Sequence, residues 1–303
     1  MLLYRSILRQ FLINIMACRT AAHTVAPGVM QTAWRLTTRD HQRMQIFADG
    51  VVHDKVVVVT GGSTGIGRSI ALLMATYGAH VVLASRNLTA LQAVAAEVAR
   101  RGVQALPVQT DIRQHEQVDA MVQTAIDAFG RIDVLVNNAA GSFLAAARKI
   151  TPKGWQSVID TTLNGTFYCS QAVGLRMIGQ GGGKIINITA TLHFKGSPGL
   201  VAPTAAKAGV EALTKSLALE WAKFNILVNA IAPGPIHTEG ADRNLWSNTA
   251  FRDMIARGVP LGRFGKTADI ANMAVYLASP AGDYITGATM VVDGGEWLQK
   301  GLA

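Results

Sequence analysis

From residue 55 onward, the apolar positions alternate between short runs rich in β-branched residues and longer amphipathic stretches. This alternation is typical of βαβ units, in which helices join parallel strands and cover both faces of the sheet. We therefore predict one three-layer α/β domain with a doubly wound parallel sheet of about seven strands. The predicted strands are Val56–Val59, Val81–Leu83, Ala105–Val108, Val134–Val136, Ile185–Ile188, Leu227–Ile231 and Thr289–Val292.

Two of the helices carry clear boundary signals. One has a single apolar stripe that ends at Gly130, a typical C-terminal stop. The other begins at Thr151-Pro152, which reads as an N-cap followed by a first-turn proline, and should run to about Met177. The stripe of the first helix consists of Val118, Met121, Val122, Ala125, Ile126 and Phe129.

The composition indicates a large hydrophobic core. Of the 303 residues, 50% are hydrophobic and only 16% are charged, whereas soluble domains average about 25% charged residues. A disordered chain is excluded, and extensive burial with subunit contacts is favoured. Cys18 and Cys169 lack the spacing of a disulfide framework or a metal site, so we predict no metal. No apolar run approaches the ~18 residues of a membrane span, and none is predicted.

The formal net charge of +9 is concentrated near the start of the chain. Residues 1–43 contain six arginines and one acidic residue, which resembles a mitochondrial transit peptide or an upstream extension with Met44 as the true start. We expect this leader to lie outside the folded domain of residues 44–303. The protein would then be in the mitochondrial matrix or, in the second case, in the cytoplasm. The remaining charge forms no stripe with aromatics, so we expect no nucleic-acid partner.

A glycine-rich turn follows the first predicted strand and precedes a helical pattern. Glycines let backbone N–H groups approach a pyrophosphate, which the dipole of the following helix also attracts. A purely structural strand-to-helix connection is the alternative. The candidate cofactor-binding residues in this turn are Gly61, Ser63, Thr64, Gly65, Ile66 and Gly67.

The end of the second strand favours NADPH over NADH. An NAD enzyme usually places an acidic residue here to bind the ribose 2′-hydroxyl, but residues 84–87 contain none. Arg86 can instead pair with a 2′-phosphate, although it can also be a solvated loop residue. Further candidate cofactor contacts follow the third and fourth strands, where ligands bind in open α/β sheets. They are Asp111, Ile112, Asn138 and Ala139.

Together these motifs resemble the short-chain dehydrogenase/reductase family over about residues 50–297. The resemblance rests on the TGGSTGIG turn, the NNAAG run, Asn164, Lys207 and the turn of residues 233–235. It implies a Rossmann-type sheet, a nicotinamide cofactor, a catalytic tetrad of Asn, Ser, Tyr and Lys, and a homotetramer that pairs the helices beginning near Thr151 and Ala202. It also implies that the nicotinamide contacts Pro233, Gly234, Ile236 and Thr238.

Two members of the tetrad are missing. Pro203 stands where the family has its tyrosine, and Ala190 stands in the usual serine position. Ketone reduction leaves an alkoxide that a placed acid must protonate, so this loss should be severe. Reduction of a C=C bond conjugated to a thioester spreads the charge into an enolate, which needs only hydrogen-bond donors and can take its proton from water. The altered tetrad therefore favours C=C reduction.

Within the family, the chain is most similar to the 2,4-dienoyl-CoA and trans-2-enoyl-CoA reductases, which also lack this tyrosine. Ser142 and Leu192 depart from the asparagine and tyrosine of typical dienoyl reductases. The similar runs are residues 137–144, 153–155, 164–167, 207–212 and 215–221.

These considerations give a list of candidate catalytic and substrate residues. Lys207 should bind the nicotinamide ribose and supply positive potential, and Asn164 should mark a kink or water site in its helix. His193, on a loop that should border the substrate, or else Thr191 or Ser142, should donate a proton to the thioester oxygen or to carbon. A loop histidine that is simply exposed is the alternative. The segment 236–263 should form a lid over the substrate, with an ordinary amphipathic helix pair as the alternative. The candidate substrate contacts are Ser142, Phe143, Arg243 and Trp246.

We therefore predict an NADPH-dependent reductase of an unsaturated acyl-CoA in fatty-acid metabolism. Two alternatives stay open. The first is another carbonyl or alcohol oxidoreductase of the same family with an unassigned acid. The second is a catalytically silent homologue that binds nucleotide or a sister subunit.

Overall fold

The computed structural model describes residues 47–244 and 249–298, and for residues 242–244, 249 and 251 it describes the backbone alone. The chain divides into a unit of Met1–Ala48 and a unit of Asp49–Ala303. Almost every described residue belongs to the second unit. The predicted leader of residues 1–43 lies outside the described residues.

The second unit is built on one sheet of seven parallel strands in the order β3-β2-β1-β4-β5-β6-β7. The order reverses between β1 and β4, as in a doubly wound fold. All seven strand predictions and the predicted fold class are confirmed. The strands are β1 Val56–Thr60, β2 His80–Ser85, β3 Ala105–Gln109, β4 Val134–Asn137, β5 Gly183–Ile188, β6 Ile226–Pro233 and β7 Thr289–Val292.

Helices cover both faces of this sheet. On one face, α3, α5 and α7 pack with alternate residues of the central strands in the main apolar core, and α10 packs against α1. None of the described helices is long and apolar enough to cross a membrane. The α-helices are α1 Gly65–Thr76, α2 Leu88–Ala99, α3 His115–Phe129, α4 Pro152–Ile159, α5 Gly165–Gln180, α6 Leu192–Lys195, α7 Val201–Trp221, α8 Glu239–Asn244, α9 Thr249–Arg257 and α10 Thr267–Ala278.

The helix predicted to begin at Thr151-Pro152 is interrupted. The Thr151 hydroxyl accepts a hydrogen bond from the Gly154 N–H at 3.1 Å, which confirms the N-cap. A π-helical turn, Asp160–Asn164, then joins α4 to α5, so the predicted helix is present and its irregularity ends at Asn164, where a kink was expected. The turn is rich in short polar residues, and its Thr161 hydroxyl donates to the Ser157 carbonyl of the preceding turn at 2.8 Å, which loosens the regular helical ladder.

Candidate active site

The turn between β1 and α1 has the geometry of a phosphate cradle. Gly61 and Gly65 have φ values of 64° and 55°, a region that favours glycine. A Cβ atom at Gly67 would lie 2.5 Å from the Asn138 amide nitrogen, so only glycine fits there. The N-cap residue Thr64 makes no side-chain cap, and the first turn of α1 holds no acidic residue. The helix N-terminus is therefore left for an anion, and the turn fits a dinucleotide pyrophosphate.

Asn138 and Ala139 brace this turn from the end of β4. The Asn138 amide donates to the backbone carbonyls of Thr60 and Gly61 at 3.0 and 3.2 Å. The backbone N–H groups of Asn138 and Ala139 both donate to the Thr60 hydroxyl. These donor groups hold the glycine turn in place, and the cofactor contact of both residues stays a prediction.

The segment after β6 lies beside the same turn. A Cβ atom at Gly65 would come 3.4 Å from the Thr238 methyl group, so the two predicted cofactor segments converge. The Thr238 hydroxyl accepts a hydrogen bond from the Ala241 N–H at 3.1 Å and so caps the start of α8. Ile236 is buried and pairs with Gly265, which leaves its backbone as the group that a ligand can contact.

The end of β6 is closely packed. The Pro233 carbonyl accepts a hydrogen bond from the Thr191 N–H at 3.1 Å, which joins the segments that follow β5 and β6. A Cβ atom at Gly234 would lie 2.5 Å from the Asp293 Cβ, so only glycine is accommodated. The Asp293 carboxylate accepts the backbone N–H groups of Gly295 and Trp297, each at 2.8 Å.

Arg86 is exposed at the end of β2 and makes no ion pair with any described residue. The nearby Asp111 carboxylate is occupied by Arg113, whose guanidinium contacts it at 2.5–3.0 Å. The hydrogen bonds from Arg113, together with the charges of Arg113 and Arg86, hold the pKa of Asp111 below its usual value. Because Arg113 neutralises Asp111, Arg86 stays available for an anion. The side chain of Ile112 lies in the core against Gly165.

Lys207 is partly buried in α7, and its ammonium group donates to the Ile188 carbonyl at 2.5 Å. Burial lowers the pKa of the Lys207 amine to about 8, because the charged form loses solvation. Pro203 is buried in the first turn of α7, where a backbone N–H has no helical partner, so proline is tolerated. The position four residues before Lys207 therefore carries an apolar ring in place of an acid.

Asn164 ends the π-helical turn, which packs against α7 through Leu163 and Gly209. Its amide nitrogen donates to the Asp160 carboxylate at 2.8 Å, so the amide oxygen is the group left for another donor. Thr162 in the same turn accepts the Gly141 N–H at 3.1 Å and so fixes the loop after β4. Sequence reasoning missed Thr162, because its hydroxyl acts on a loop 21 residues away.

The structure contradicts the expected position of His193. The residue lies in α6 and not in a loop, its side chain is 6% exposed, and Nε2 contacts the Glu211 carboxylate. Its Nδ1 is buried without a partner among the described residues. Thr191 is buried and donates to Glu296 at 3.2 Å. The Thr191 hydroxyl is thus committed to Glu296, and the second ring nitrogen of His193 is unpaired but buried. Neither Glu211 nor Glu296 was found from the sequence, because both are distant along the chain.

The candidate substrate residues fall into two groups. Ser142 is exposed, and the ring of Phe143 packs on the small apolar cluster of Val158, Ala202 and Ala206. Trp246 and the side chain of Arg243 lie outside the described residues, so the predicted lid of residues 236–263 is described only in part, through α8 and α9. Among the described residues, no group of three or more His, Cys, Asp or Glu side chains could hold a metal ion.

A comparison with known families shows which family the chain belongs to. A family model described as "Enoyl-(Acyl carrier protein) reductase" matches residues 61–296, from the glycine turn to the C-terminal segment. The chain belongs to the short-chain dehydrogenase/reductase family. Members of this family are oxidoreductases with a Rossmann-type fold, and both the resemblance and the predicted fold are confirmed.

Individual relatives carry names that are more specific than the family. The chain is 43% identical to a probable 2,4-dienoyl-CoA reductase of Bacillus subtilis, over 80% of this chain and 97% of that protein. It is 41% identical to a peroxisomal 2,4-dienoyl-CoA reductase of Pongo abelii, over 85% and 90%. It is also 41% identical to a 3-oxoacyl-[acyl-carrier-protein] reductase of Synechocystis, over 80% and 96%. A crystal structure of a short-chain dehydrogenase from Bacillus anthracis matches with 44% identity and a TM-score of 0.74, over 82% of this chain and 98% of that one.

Proposed function

We propose that this short-chain dehydrogenase/reductase uses NADPH to reduce a conjugated C=C bond of an acyl-CoA, a 2-enoyl-CoA or a 2,4-dienoyl-CoA. The observation that carries the proposal is that Lys207 is retained while a proline stands at position 203. The desolvated amine is retained four residues after a position that offers no proton. The relatives named as 2,4-dienoyl-CoA reductases support the same reaction class.

NADPH is favoured over NADH by Arg86. Its exposed guanidinium has no carboxylate partner among the described residues, whereas a carboxylate in its place would repel a 2′-phosphate. When bound, the cofactor supplies the hydride. The glycine turn and the N-terminus of α1 would hold its pyrophosphate, and the segment from Pro233 to Thr238 would border the nicotinamide end.

The chain contributes charge and position to the reaction. The Lys207 ammonium supplies positive potential where an enolate develops, and its contact with the Ile188 carbonyl fixes its place. The Asn164 amide is oriented by Asp160, so its oxygen is held in one direction. His193 and Thr191 are both committed to carboxylates, so we assign neither as the acid. Water delivers the proton to carbon in this proposal.

The competing function is reduction of a 3-oxoacyl thioester, which the Synechocystis relative favours by its name. Pro203 argues against it, because an alkoxide would form with no placed acid beside it. A catalytically silent homologue is the third possibility, and the retained Lys207 and intact glycine turn argue against that one.

One experiment separates the three functions. NADPH absorbance is followed with purified protein and a 2-enoyl-CoA, a 2,4-dienoyl-CoA and a 3-oxoacyl-CoA of equal chain length, beside a Lys207→Ala variant. We expect oxidation with the unsaturated substrates and its loss in the variant. Oxidation with the 3-oxo substrate alone would overturn the proposal. Cofactor binding with no turnover of any substrate would identify a silent homologue.

We also propose that the working protein consists of residues 44–303 and lacks the Arg-rich leader. The six arginines and one acid of residues 1–43 suit a transit segment or an upstream extension. Intact mass of the protein purified from its source would give the mature N-terminus. A mass that includes residues 1–43 would contradict this proposal. A transit segment would place the protein in the mitochondrial matrix, and an upstream extension would place it in the cytoplasm.

A further inference from the structure

A basic patch, defined as Arg148, Lys149, Lys153 and the indole of Trp155, lies beyond the loop that follows β4. Residues 139–159 contain these three cations and no acidic residue. The three basic side chains are exposed, and the indole is 37% exposed. A short stretch of the chain therefore combines exposed positive charge with an exposed aromatic side chain.

These cations are free of partners. None of the three makes an ion pair or a side-chain hydrogen bond with any residue that the structure describes. By contrast, Lys55, Arg113, Lys184 and other described cations are paired with carboxylates. Lys153 also lies in the first turn of α4, where no acidic residue offsets the positive end of the helix dipole. The local potential therefore favours an anionic ligand.

The patch lies next to the predicted substrate loop. The Phe143 ring lies against the first turn of α4, where a Cβ atom at Gly154 would come within 3.4 Å of its Cζ. The other side of Phe143 packs in the cluster that contains Ala206, the neighbour of Lys207. One apolar residue thus connects the helix that carries the reactive amine to the turn that carries Lys153 and Trp155.

We propose that the basic patch binds the 3′-phosphorylated adenosine diphosphate end of the CoA thioester. Arg148, Lys149 and Lys153 contact the phosphates, and Trp155 stacks on the adenine. This inference rests on the proposed function and names how its substrate is recognised. A small nucleotide suits the patch better than an acidic carrier protein does, because the patch is limited to three cations and one exposed indole within residues 148–155.

Direct binding tests the patch without any turnover. Isothermal calorimetry in saturating NADP⁺ compares free CoA, 3′-dephospho-CoA and pantetheine, so that the cofactor site cannot take the nucleotide. We expect Arg148→Gln/Lys149→Gln to weaken CoA binding about tenfold and to abolish the preference for CoA over dephospho-CoA. The charge-matched control Arg100→Gln/Lys223→Gln removes two exposed cations elsewhere. It should keep the CoA affinity and the preference for CoA over dephospho-CoA. The difference in CoA affinity between the patch variant and the unmodified protein should shrink as the salt concentration is raised.

Kinetics then link the patch to the substrate. For one unsaturated acyl group, the ratio of kcat/KM on the CoA thioester to kcat/KM on the N-acetylcysteamine thioester should fall about tenfold in the patch variant. The ratio should be unchanged in the control variant. Trp155→Leu should lower the same ratio, since the truncated thioester carries no adenine.

Three outcomes would overturn the inference. They are an unchanged CoA affinity in the patch variant, an equal loss on both thioesters, and a loss seen only with a carrier-protein thioester. Failure of the proposed function has a different signature, because activity on the truncated thioester would then be absent in the unmodified protein. Calorimetry would still report on the patch in that case.

Discussion

At the scale of single residues, burial of the Lys207 charge lowers the stability of the fold, while the same charge serves the proposed reaction. Burial lowers the pKa of its amine to about 8, so the folded state holds this proton less tightly than the unfolded chain, whose lysine value is 10.5. Between these values the unfolded state binds more protons, and stability should therefore rise with pH through this window. The positive potential that we assign to catalysis is lost over the same range.

Replacing Lys207 with methionine should separate these two effects. We expect Lys207→Met to lose at least about a hundredfold in kcat/KM for the unsaturated thioester. At pH 7, we expect its free energy of unfolding to be unchanged or higher by about 1 kcal/mol, because no charge is buried. Denaturant unfolding and NADPH oxidation measure the two effects, with Lys223→Met, an exposed lysine just beyond the end of α7, as the control. Lower stability together with retained activity would refute the assignment.

Arg86 should act on one cofactor only. Arg86→Ala removes the exposed guanidinium that we propose for the 2′-phosphate, so KM for NADPH should rise by one to two orders of magnitude. KM for NADH should change less than threefold, since NADH carries no phosphate at that position. Steady-state kinetics with both cofactors test this, with Arg100→Ala as control. A parallel rise for both cofactors would place Arg86 elsewhere in the binding site.

The site residues differ in how far the sequence could specify them. The glycine turn is local, because strand, turn and helix follow one another, so its geometry could be predicted. His193 could not be placed, since its partner Glu211 lies one helical turn beyond Lys207 on another element. Thr191 likewise depends on Glu296, 105 residues away. Side chains whose partners are distant in sequence leave no periodic signal near them.

At the scale of elements, the short helix α6 is held by carboxylates from two directions. Glu211 of α7 contacts His193, and Glu296 of the C-terminal segment contacts both Thr191 and Lys195. Burial alone would raise the pKa of Glu211, but hydrogen bonds and charges of Lys215 and His193 outweigh it and keep the pKa below its usual value. The carboxylate of Glu211 is thus the form that docks α6.

This docking should be sensitive to acid. A lowered pKa stabilises the fold above the ordinary glutamate value, and that contribution is lost as pH falls through the folded-state value. We expect Glu211→Gln to lower the free energy of unfolding by about 1–2 kcal/mol at pH 7, with the difference shrinking towards pH 4. Denaturant titrations at both pH values measure it, and Glu220→Gln, exposed on the same helix, is the control. A difference independent of pH would show that charge is not the cause.

The elements were predictable where burial fixes them. Each parallel strand is covered on both faces, so its apolar run stands out from the polar helices around it. A kink was expected at Asn164, but the π-helical form of the turn that ends there was not predictable in the same way. Thr162 and Asp160 look like ordinary helical residues until their bonds to Gly141 and Asn164 are known. The kink arises from contacts between elements, which periodicity does not report.

At the scale of the whole molecule, apolar side chains remain uncovered on the two long helices. Leu175 of α5 is 65% exposed, Leu219 of α7 is 85% exposed, and Phe167 and Val201 are each about two-fifths exposed. Single exposed apolar residues are normal. Several on the helices for which the family resemblance predicts pairing, in a chain with only 16% charged residues, favour the predicted subunit contacts.

We therefore expect the protein to be a homotetramer that depends on these helices. In Leu175→Glu/Leu219→Glu, a charge would be buried without a partner in each copy of the interface, which costs several kcal/mol and should dissociate the assembly. Sedimentation velocity at micromolar concentration should show a tetramer for the unmodified protein and smaller species for the variant. Met254→Glu, at a position that is 53% exposed on α9, is the matched control and should stay tetrameric. A monomeric unmodified protein would contradict the predicted tetramer. Dissociation of both variants would show that assembly does not depend specifically on Leu175 and Leu219.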